Sequence, residues 1–338
     1  MILDLDEPVA QLLLGAARSV ATAGGSAPLS DRAAGAIASL ASLALGAGPP
    51  DLGADDPVDP VTLASALDDD DRAATAAELL GVVALVDGSL DRGRIDQVAG
   101  FAGAMGVQDH WLADLVQSLE PDLGPVIADM GDRNLRSVTD GRLGVAEIGD
   151  VDAWLLPYGG DGADPDLAAR YRALGDGHEG TLGHAFWSFY DRHAFAFPGE
   201  PGAVNEVFGT PHDTTHVLSG YDTSPQGELL VSTFTSRMHP IHPMEGHVLP
   251  VIYSWHLGIE FNKLAGSYRG ALDAPKFWVA WERGLRTTGD AFAEGFRFWD
   301  HVSEPIDGVR EAFGIPALDP AHAAHSTARP GIDYHPIA

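Results

Sequence analysis

The sequence predicts an all-α protein built from two helical domains, and three observations lead to this prediction. Apolar residues recur with a spacing near 3.6 along several segments, which is the period of an amphipathic helix. Loops rich in proline, glycine and aspartate separate these segments. The chain of 338 residues is long for one domain, and six of its seven tryptophans lie after residue 150, with Trp111 as the exception.

The N-terminal part of the chain is predicted to form a bundle of helices. It begins with two helices, Pro8–Thr22 and Asp31–Leu45, and Ser30 is well suited to cap the second one. Four consecutive aspartates, Asp68–Asp71, precede a strongly apolar helix, Ala73–Val86. A cation site is one interpretation of these aspartates. Acidic residues also favour the N-terminus of a following helix, and we prefer that interpretation.

The sequence Asp87-Gly-Ser-Leu-Asp91 connects this apolar helix to the next one. It is not an EF-hand calcium loop, because position twelve is Val98 rather than Glu and position six is Arg92 rather than Gly. The segment Thr75–Val107 resembles the TerB-like family of tellurite-resistance proteins, which share a helix, an Asp-Gly turn and a helix. The resemblance implies a small helical bundle with an acidic, metal-sensing surface. A structural or protein-contact role is the alternative that we favour.

A domain boundary is predicted within Asp122–Gly149, a segment that contains a tight turn. The alternating stretch Leu143–Ile148 within it predicts a short strand. The predicted domains are therefore residues 1–135, TerB-like, and residues 150–315, followed by an extended tail at 316–338 that contains several prolines.

The second predicted domain consists of helices that carry most of the aromatic residues. We expect helices at Asp166–Leu174, Thr181–His193, Glu228–Arg237, Leu249–Leu264, Pro275–Trp299 and Glu304–Phe313. Core packing is the first interpretation of the aromatic side chains. An apolar tunnel for a prenyl chain is the alternative, and the two are compatible because a lipid pocket can lie inside a core.

Two histidines in this domain are spaced for a shared ligand. Pro211 suits the first turn of a helix and Gly220 suits the position just past its end. On that helix His212 and His216 are four residues apart, so both imidazole rings lie on one face. Asp213 is adjacent to this face.

A carboxylate from a second helix completes the candidate site. That helix begins after Thr223 or Ser224, which places Glu228 in its first turn. The pattern is not the H-E-x-x-H of metalloproteases, because the second position is Asp. We predict a divalent-metal site, with zinc preferred and manganese or iron able to accept the same donors. The predicted metal ligands are His212, Asp213, His216 and Glu228.

The pattern H-D-x-x-H-x11-E resembles the signature of the coenzyme Q biosynthesis protein 4 family. Gly180-Thr-Leu-Gly and Gly227-Glu228 agree with the G-T-x-G and G-E segments of that family. The likeness extends from about Asp166 to Ile315. It implies an all-helical fold, a bound divalent metal and a role on polyprenylated ring precursors of ubiquinone. The implied activities are removal of the ring carboxylate with oxidation at that carbon, and organisation of a biosynthetic complex.

Other histidines in this half have weaker patterns. His239, His242 and His247 lie in a loop interrupted by prolines, where supplementary metal ligands and proton shuttles are both open interpretations. His256 and Glu260 are four residues apart in the predicted helix Leu249–Leu264. A second ligand pair or acid/base pair is one interpretation, and an ordinary helical ion pair is the one that we prefer.

Composition excludes several classes of function. The net charge of −29 and a pI near 4.5 argue against binding to nucleic acid and to anionic membrane surfaces. The chain contains no cysteine, which excludes disulfides and thiolate chemistry. No apolar run is long enough to span a membrane. We expect a cytoplasmic protein, with peripheral membrane attachment as the alternative.

These observations leave three functional hypotheses. The first is a metal-dependent lyase of the oxidative decarboxylase type that acts on a prenylated aromatic small molecule. The second is a scaffold or carrier for a lipid-like quinone precursor, acting in a homo-oligomer or a biosynthetic complex. The third is a stress-response module based on the N-terminal resemblance.

Overall fold

A computed structural model describes residues 1–53, 57–67, 69–262, 264 and 266–316. Within these residues the secondary structure is helical, apart from two isolated bridges, Thr181 with Pro305 and Leu257 with Arg269. The predicted all-α class is therefore confirmed. The extended tail predicted at 316–338 lies outside the described residues, except for Pro316. None of the described helices combines the length and apolarity needed to cross a bilayer.

The α-helices alternate with short connections. They are α1 Glu7–Ala21, α2 Asp31–Ser39, α3 Pro60–Ala66, α4 Asp70–Leu85, α5 Arg92–Ala104, α6 His110–Gln117, α7 Gly124–Val138, α8 Val145–Ile148, α9 Val151–Leu155, α10 Pro165–Arg172, α11 Leu182–His193, α12 Glu206–Ser219, α13 Pro225–Met238, α14 Leu249–Trp255, α15 Ala274–Arg286, α16 Phe298–His301 and α17 Ile306–Ala312. In the part of the chain that the structure describes, π-helical turns occur at Leu40–Leu45 and Pro243–Val248, and 3₁₀ turns at Gly160–Gly162 and Ala173–Asp176.

The described chain divides into two compact units. The first unit comprises Met1–Met130 and Val248–Glu282, and the second comprises Gly131–His247 and residues 283–316. The first unit is therefore discontinuous in sequence, because the stretch that contains α14 and most of α15 belongs to it.

The core of the first unit is organised around α4, whose aliphatic side chains are almost all buried. Gly81 of α4 lies directly against the Trp111 ring of α6, and a Cβ at that position would be 2.7 Å from the ring. The later segment of the unit joins the same core. Trp278 Nε1 donates to the carbonyl of Ala36 at 3.3 Å, and Tyr253 shares a 2.5 Å hydrogen bond with Ser118.

The Asp-Gly turn after α4 is held by its own side chains. Asp87 accepts a 2.6 Å hydrogen bond from Ser30, the residue that also caps α2 as predicted. The other carboxylate oxygen of Asp87 pairs with Arg94 at 2.6 Å. These contacts tie the turn to α2 and α5, which gives the turn a structural role.

Several predictions of secondary structure are wrong. The stretch predicted as a strand, Leu143–Ile148, contains the short helix α8. The reason is local: Glu147 accepts the backbone N–H of Gly144 at 2.8 Å, and Asp132 accepts that of Val145 at 2.7 Å. Side chains therefore satisfy the donors that a strand would have presented to a partner.

The helix predicted at Leu249–Leu264 ends at Trp255, so His256 and Glu260 do not form a helical pair. His256 instead donates from Nε2 to the carbonyl of Val86 at 3.0 Å and accepts at Nδ1 from Leu272 N at 3.1 Å. The buried imidazole of His256 therefore makes structural hydrogen bonds within the first unit, and burial lowers its pKa.

The helix predicted at Pro275–Trp299 ends at Arg286, and Phe298 belongs to the separate helix α16. The backbone N–H groups of Thr288 and Gly289 both donate to the carbonyl of Phe313, at 2.8 and 2.9 Å. These non-local bonds take the donors that would have continued the helix.

Candidate metal centre

The histidine-bearing helix α12 begins earlier than its sequence indicates. Asn205 caps it by accepting from Val207 N at 3.0 Å, so Pro211 lies inside the helix and the prediction that it occupies the first turn is wrong. The asparagine followed by Glu206 is an N-terminal signal that the proline obscured. Gly220, with φ of 83°, ends the helix as predicted.

The second helix of the site, α13, begins at Pro225 with Ser224 as its cap. The Ser224 hydroxyl accepts from Gly227 N at 3.0 Å, so of the two predicted caps the structure selects Ser224. Glu228 lies in the first turn, where a carboxylate is stabilised by the positive end of the helix dipole.

The side chains of His212, His216 and Glu228 converge, with their potential ligand atoms within 4.8 Å of one another. The Nε2 atoms of the two histidines are 3.2 Å apart. Glu228 approaches His212 Nε2 at 3.3 Å through Oε2 and His216 Nε2 at 3.4 Å through Oε1.

These separations fit a small divalent ion. Ligand bonds of about 2.0 to 2.1 Å in a tetrahedron place the ligand atoms about 3.3 to 3.4 Å from one another. The donor set, two imidazole nitrogens and a carboxylate oxygen, suits zinc and is also acceptable to manganese or iron. The three side chains could therefore hold a metal ion.

Asp213, the remaining predicted ligand, has a different partner. Its Oδ2 accepts a 2.5 Å hydrogen bond from the Tyr190 hydroxyl of α11. Burial raises the pKa of Asp213, and burial together with the neighbouring Asp213 carboxylate raises that of Tyr190. Asp213 is not one of the three converging side chains, so its role as a ligand stays a prediction.

The orientation of His216 is fixed by its other nitrogen. His216 Nδ1 donates to the carbonyl of Tyr221 at 3.0 Å, which leaves Nε2 directed at the cluster. Metal-binding histidines are commonly held in this way. The ring also stacks on Phe189, and the His212 ring stacks on Phe208, with centroids 5.5 and 5.1 Å apart.

The electrostatics of the cluster favour a cation. Burial alone lowers the pKa of His216, but the Glu228 carboxylate outweighs it and raises that pKa above its ordinary value. Burial raises the pKa of Glu228, and the two histidines more than reverse this and hold it well below the usual range. Glu228 is therefore a persistent anion beside His216, in a place where positive charge is stabilised.

The cluster has one open side. The His216 side chain is 1% exposed, whereas those of His212 and Glu228 are each 21% exposed. A small molecule would therefore approach past His212 and Glu228.

The loop histidines, which the sequence left as supplementary ligands or proton shuttles, are not members of the converging cluster. His239 Nδ1 donates to Asp290 at 2.7 Å and its Nε2 donates to the Ser137 carbonyl at 2.9 Å. His247 Nε2 is 2.5 Å from the Ser137 hydroxyl, and burial, followed by the charge of His239, lowers the pKa of His247 to about 3. His242 pairs with Glu245.

Sequence reasoning missed two positions at the centre. Tyr190 was assigned to aromatic packing, which it does provide by stacking on Phe186 and Phe197, but its hydroxyl also holds Asp213. The Tyr221 carbonyl orients His216 through the backbone, so no side-chain pattern could have revealed it.

A cavity of about 200 Å³ adjoins the N-terminal half of α11. Its lining residues are Ala173, Leu174, Gly177, His178, Thr181, Gly183, His184, Val302 and Ser303. The three converging side chains do not line it. The apolar tunnel for a prenyl chain, which the sequence offered as an alternative to core packing, therefore stays a prediction.

Fold and site together define an all-α protein with a candidate metal centre of two histidines and a carboxylate. No family model matches the chain, and no curated protein matches it. A solved structure from Nostoc punctiforme described as a "Putative ubiquinone biosynthesis protein" is similar at 20% identity, over 71% of this chain and 97% of the other, with a TM-score of 0.30. At that identity and TM-score, the similarity carries no argument about function.

Proposed function

We propose that this protein is a metal-dependent enzyme of ubiquinone-type or other isoprenoid-quinone biosynthesis. Its substrate is a prenylated hydroxybenzoate-like ring, and its reaction removes the ring carboxylate. The observation that supports metal binding is the convergence of three side chains from two helices. The nitrogen and oxygen atoms of His212, His216 and Glu228 approach one another to 3.2 to 3.4 Å. The sequence resemblance supplies the substrate class.

In this proposal His212, His216 and Glu228 would hold the metal, with Asp213 as the fourth ligand. A divalent ion at these residues supplies a Lewis acid that polarises a phenol or carboxylate oxygen. Catalysis also needs an open coordination position. The Tyr190 hydroxyl donates to Asp213 Oδ2 at 2.5 Å and would hold that carboxylate beside the ion.

The protein's own residues account for orientation and access. His216 is held by the Tyr221 carbonyl and stacked on Phe189, which fixes one side of the site. The exposed edges of His212 and Glu228 leave the opposite side to the ring of the substrate. The ring carbon that loses carbon dioxide takes either a proton, which needs no oxidant, or a hydroxyl group from water. In the second case dioxygen as co-substrate accepts the two electrons and two protons released and leaves as hydrogen peroxide.

A scaffold or precursor carrier is the second candidate. The nearly complete burial of His216 favours it, because a site closed by four protein ligands would stabilise two helices without catalysis. Coordination number separates the two candidates. An ion that retains a bound water supports the enzyme, and a saturated, water-free ion supports the scaffold.

For the first unit, a stress-response role is a hypothesis. The TerB-like, stress-response hypothesis rests on the sequence resemblance around the Asp-Gly turn. The pairing of Asp87 with Ser30 and Arg94 accounts for the turn in structural terms.

Elemental analysis of the purified full-length chain tests the metal. We expect about one divalent ion per chain after expression with zinc, manganese and iron available. His212→Ala and His216→Ala should lose it, because the remaining donors compete poorly with buffer. His178→Ala, at an exposed histidine outside the cluster, is the matched control. Wild-type protein without metal would refute this part of the proposal.

Product analysis tests the reaction. Metal-loaded protein is incubated with a prenylated 4-hydroxybenzoate labelled in the carboxylate, with and without dioxygen, and released carbon dioxide is counted. Release by wild type and its loss in His216→Ala supports the enzyme. Saturable binding of the same compound without release would instead select the carrier.

A further inference from the structure

Arg283 is a buried cation at the C-terminal end of α15, in the second unit. It is 6% exposed, and among the described residues it has no carboxylate within ion-pair distance. Its partners are carbonyl oxygens and aromatic rings. Its Nη2 donates to the carbonyl of Ser219 at 2.9 Å, and its Nε to that of Pro316 at 3.4 Å.

The position of Arg283 relative to the turn after α12 is specific. Its guanidinium carbon lies 5.2 Å from the centroid of the Tyr221 ring and 5.7 Å from that of Phe234 in α13. The two rings meet edge to face at 6.3 Å. Arg283 therefore contacts both ends of the turn, Ser219 and Tyr221, and the helix that carries Glu228.

The backbone of α15 lies close enough to α13 to fix this contact. A Cβ on Gly284 would lie 2.4 Å from the carbonyl oxygen of Phe234, so the two helices are too close at this point for any residue larger than glycine. The negative end of the α12 dipole favours a cation at this point, which explains how the charge of Arg283 is tolerated without an acid.

Tyr221 is also the residue whose carbonyl receives the Nδ1 proton of His216. We infer that Arg283 is a positioning residue of the metal centre: by holding Ser219 and the Tyr221 ring it sets the carbonyl that orients His216. The effect of Arg283 on metal binding rests on the proposed metal function. The positioning itself concerns residues of this chain.

A second arginine provides a matched control. Arg310 of α17 donates to the carbonyls of Leu218 and Val217 at 3.0 and 2.9 Å, so it caps the same helix end. Its described contacts do not include Tyr221. A loss that comes from weaker capping alone should therefore appear equally in Arg283→Met and Arg310→Met.

The first measurement does not need metal. In protein labelled with ¹⁵N-histidine, the Nδ1–H resonance of His216 is assigned by its disappearance in His216→Gln. We expect this resonance to shift or exchange away in Arg283→Met, to persist in Arg310→Met, and to be partly restored in Arg283→Lys. An unchanged resonance in folded Arg283→Met overturns the inference.

The second measurement is cobalt affinity by chelator competition, with the visible spectrum of the bound ion as a report on its ligands. Loss of an orienting partner typically weakens binding about 10- to 100-fold. We expect such a loss in Arg283→Met, with a changed spectrum, and less than a threefold loss in Arg310→Met. Equal losses in the two variants overturn the inference. If wild type binds no cobalt yet the resonance responds as expected, the positioning role stands and the proposed metal function fails.

Discussion

Gly227 should be the least replaceable glycine near the metal centre. It is the third residue of α13 and immediately precedes Glu228. A Cβ at this position would lie 2.0 Å from the backbone oxygen of Asp222 and 2.2 Å from its Oδ1, where ordinary contact begins at 3.4 Å. The obstacle is backbone, held in place because Asp222 Oδ1 accepts from Ser224 N at 3.0 Å and from its hydroxyl at 2.5 Å.

The cost of Gly227→Ala follows from this geometry. Forcing extra atoms into a packed region costs about 1 to 3 kcal/mol, and a clash with backbone favours the upper end. Replacing a helical glycine by alanine returns about 1 kcal/mol. We therefore expect the free energy of unfolding to fall by about 2 kcal/mol. The turn must also move by about 1.2 to 1.4 Å to reach ordinary contact distance, and this displaces Glu228 from the histidines.

Urea denaturation followed by circular dichroism measures the first effect, and calorimetric titration with zinc measures the second. Gly131→Ala in α7 is the matched control, because a Cβ there meets nothing within 4 Å. That variant should gain about 0.5 to 1 kcal/mol and bind zinc normally. If Gly227→Ala unfolds at the wild-type urea concentration and binds zinc unchanged, the close approach does not position Glu228.

Two further substitutions test contacts around the site. Tyr190→Phe removes the hydroxyl from Asp213 and should weaken metal binding about 10-fold or more, measured by chelator competition, if Asp213 is a ligand. Asp290→Asn should destabilise the protein by about 2 kcal/mol at pH 6, because it removes the carboxylate that pairs with protonated His239. Burial lowers the pKa of His239, but the hydrogen bond to Asp290 outweighs burial and raises this pKa above 6.5. The pKa of His239 is higher in the folded protein than in the unfolded chain. The stability difference between wild type and Asp290→Asn should therefore be largest below pH 6.5 and shrink as the pH rises through the folded-state pKa. A stability difference that stays constant in denaturation experiments from pH 5 to 9 would contradict the ion pair between His239 and Asp290.

The sequence predicted those parts of the site that depend on local spacing. His212 and His216 share a helical face because of the four-residue interval, and Glu228 falls in a first turn because Ser224 can cap it. Each of these features is decided within one or two helical turns. Short-range physical chemistry is therefore sufficient to find the cluster.

The errors arose where distant residues decide the outcome. The chain leaves the helical path after Arg286 because the Phe313 carbonyl takes two backbone donors. The helix containing Trp255 ends where His256 bonds to Val86, 170 residues away. Pro211 was misplaced for a different reason, since its preference for a first turn is statistical and Asn205 offered a better cap.

The discontinuity of the first unit has a consequence for synthesis. Trp278 and Tyr253 complete the surroundings of Ala36 and Ser118, yet they leave the ribosome well over a hundred residues later. At the usual rate of translation, about 5 to 20 residues per second, this delay is roughly 7 to 50 s. During that interval the nascent N-terminal helices expose apolar surface that only later residues can cover, so a chain truncated before residue 282 should depend on chaperones far more than the complete one.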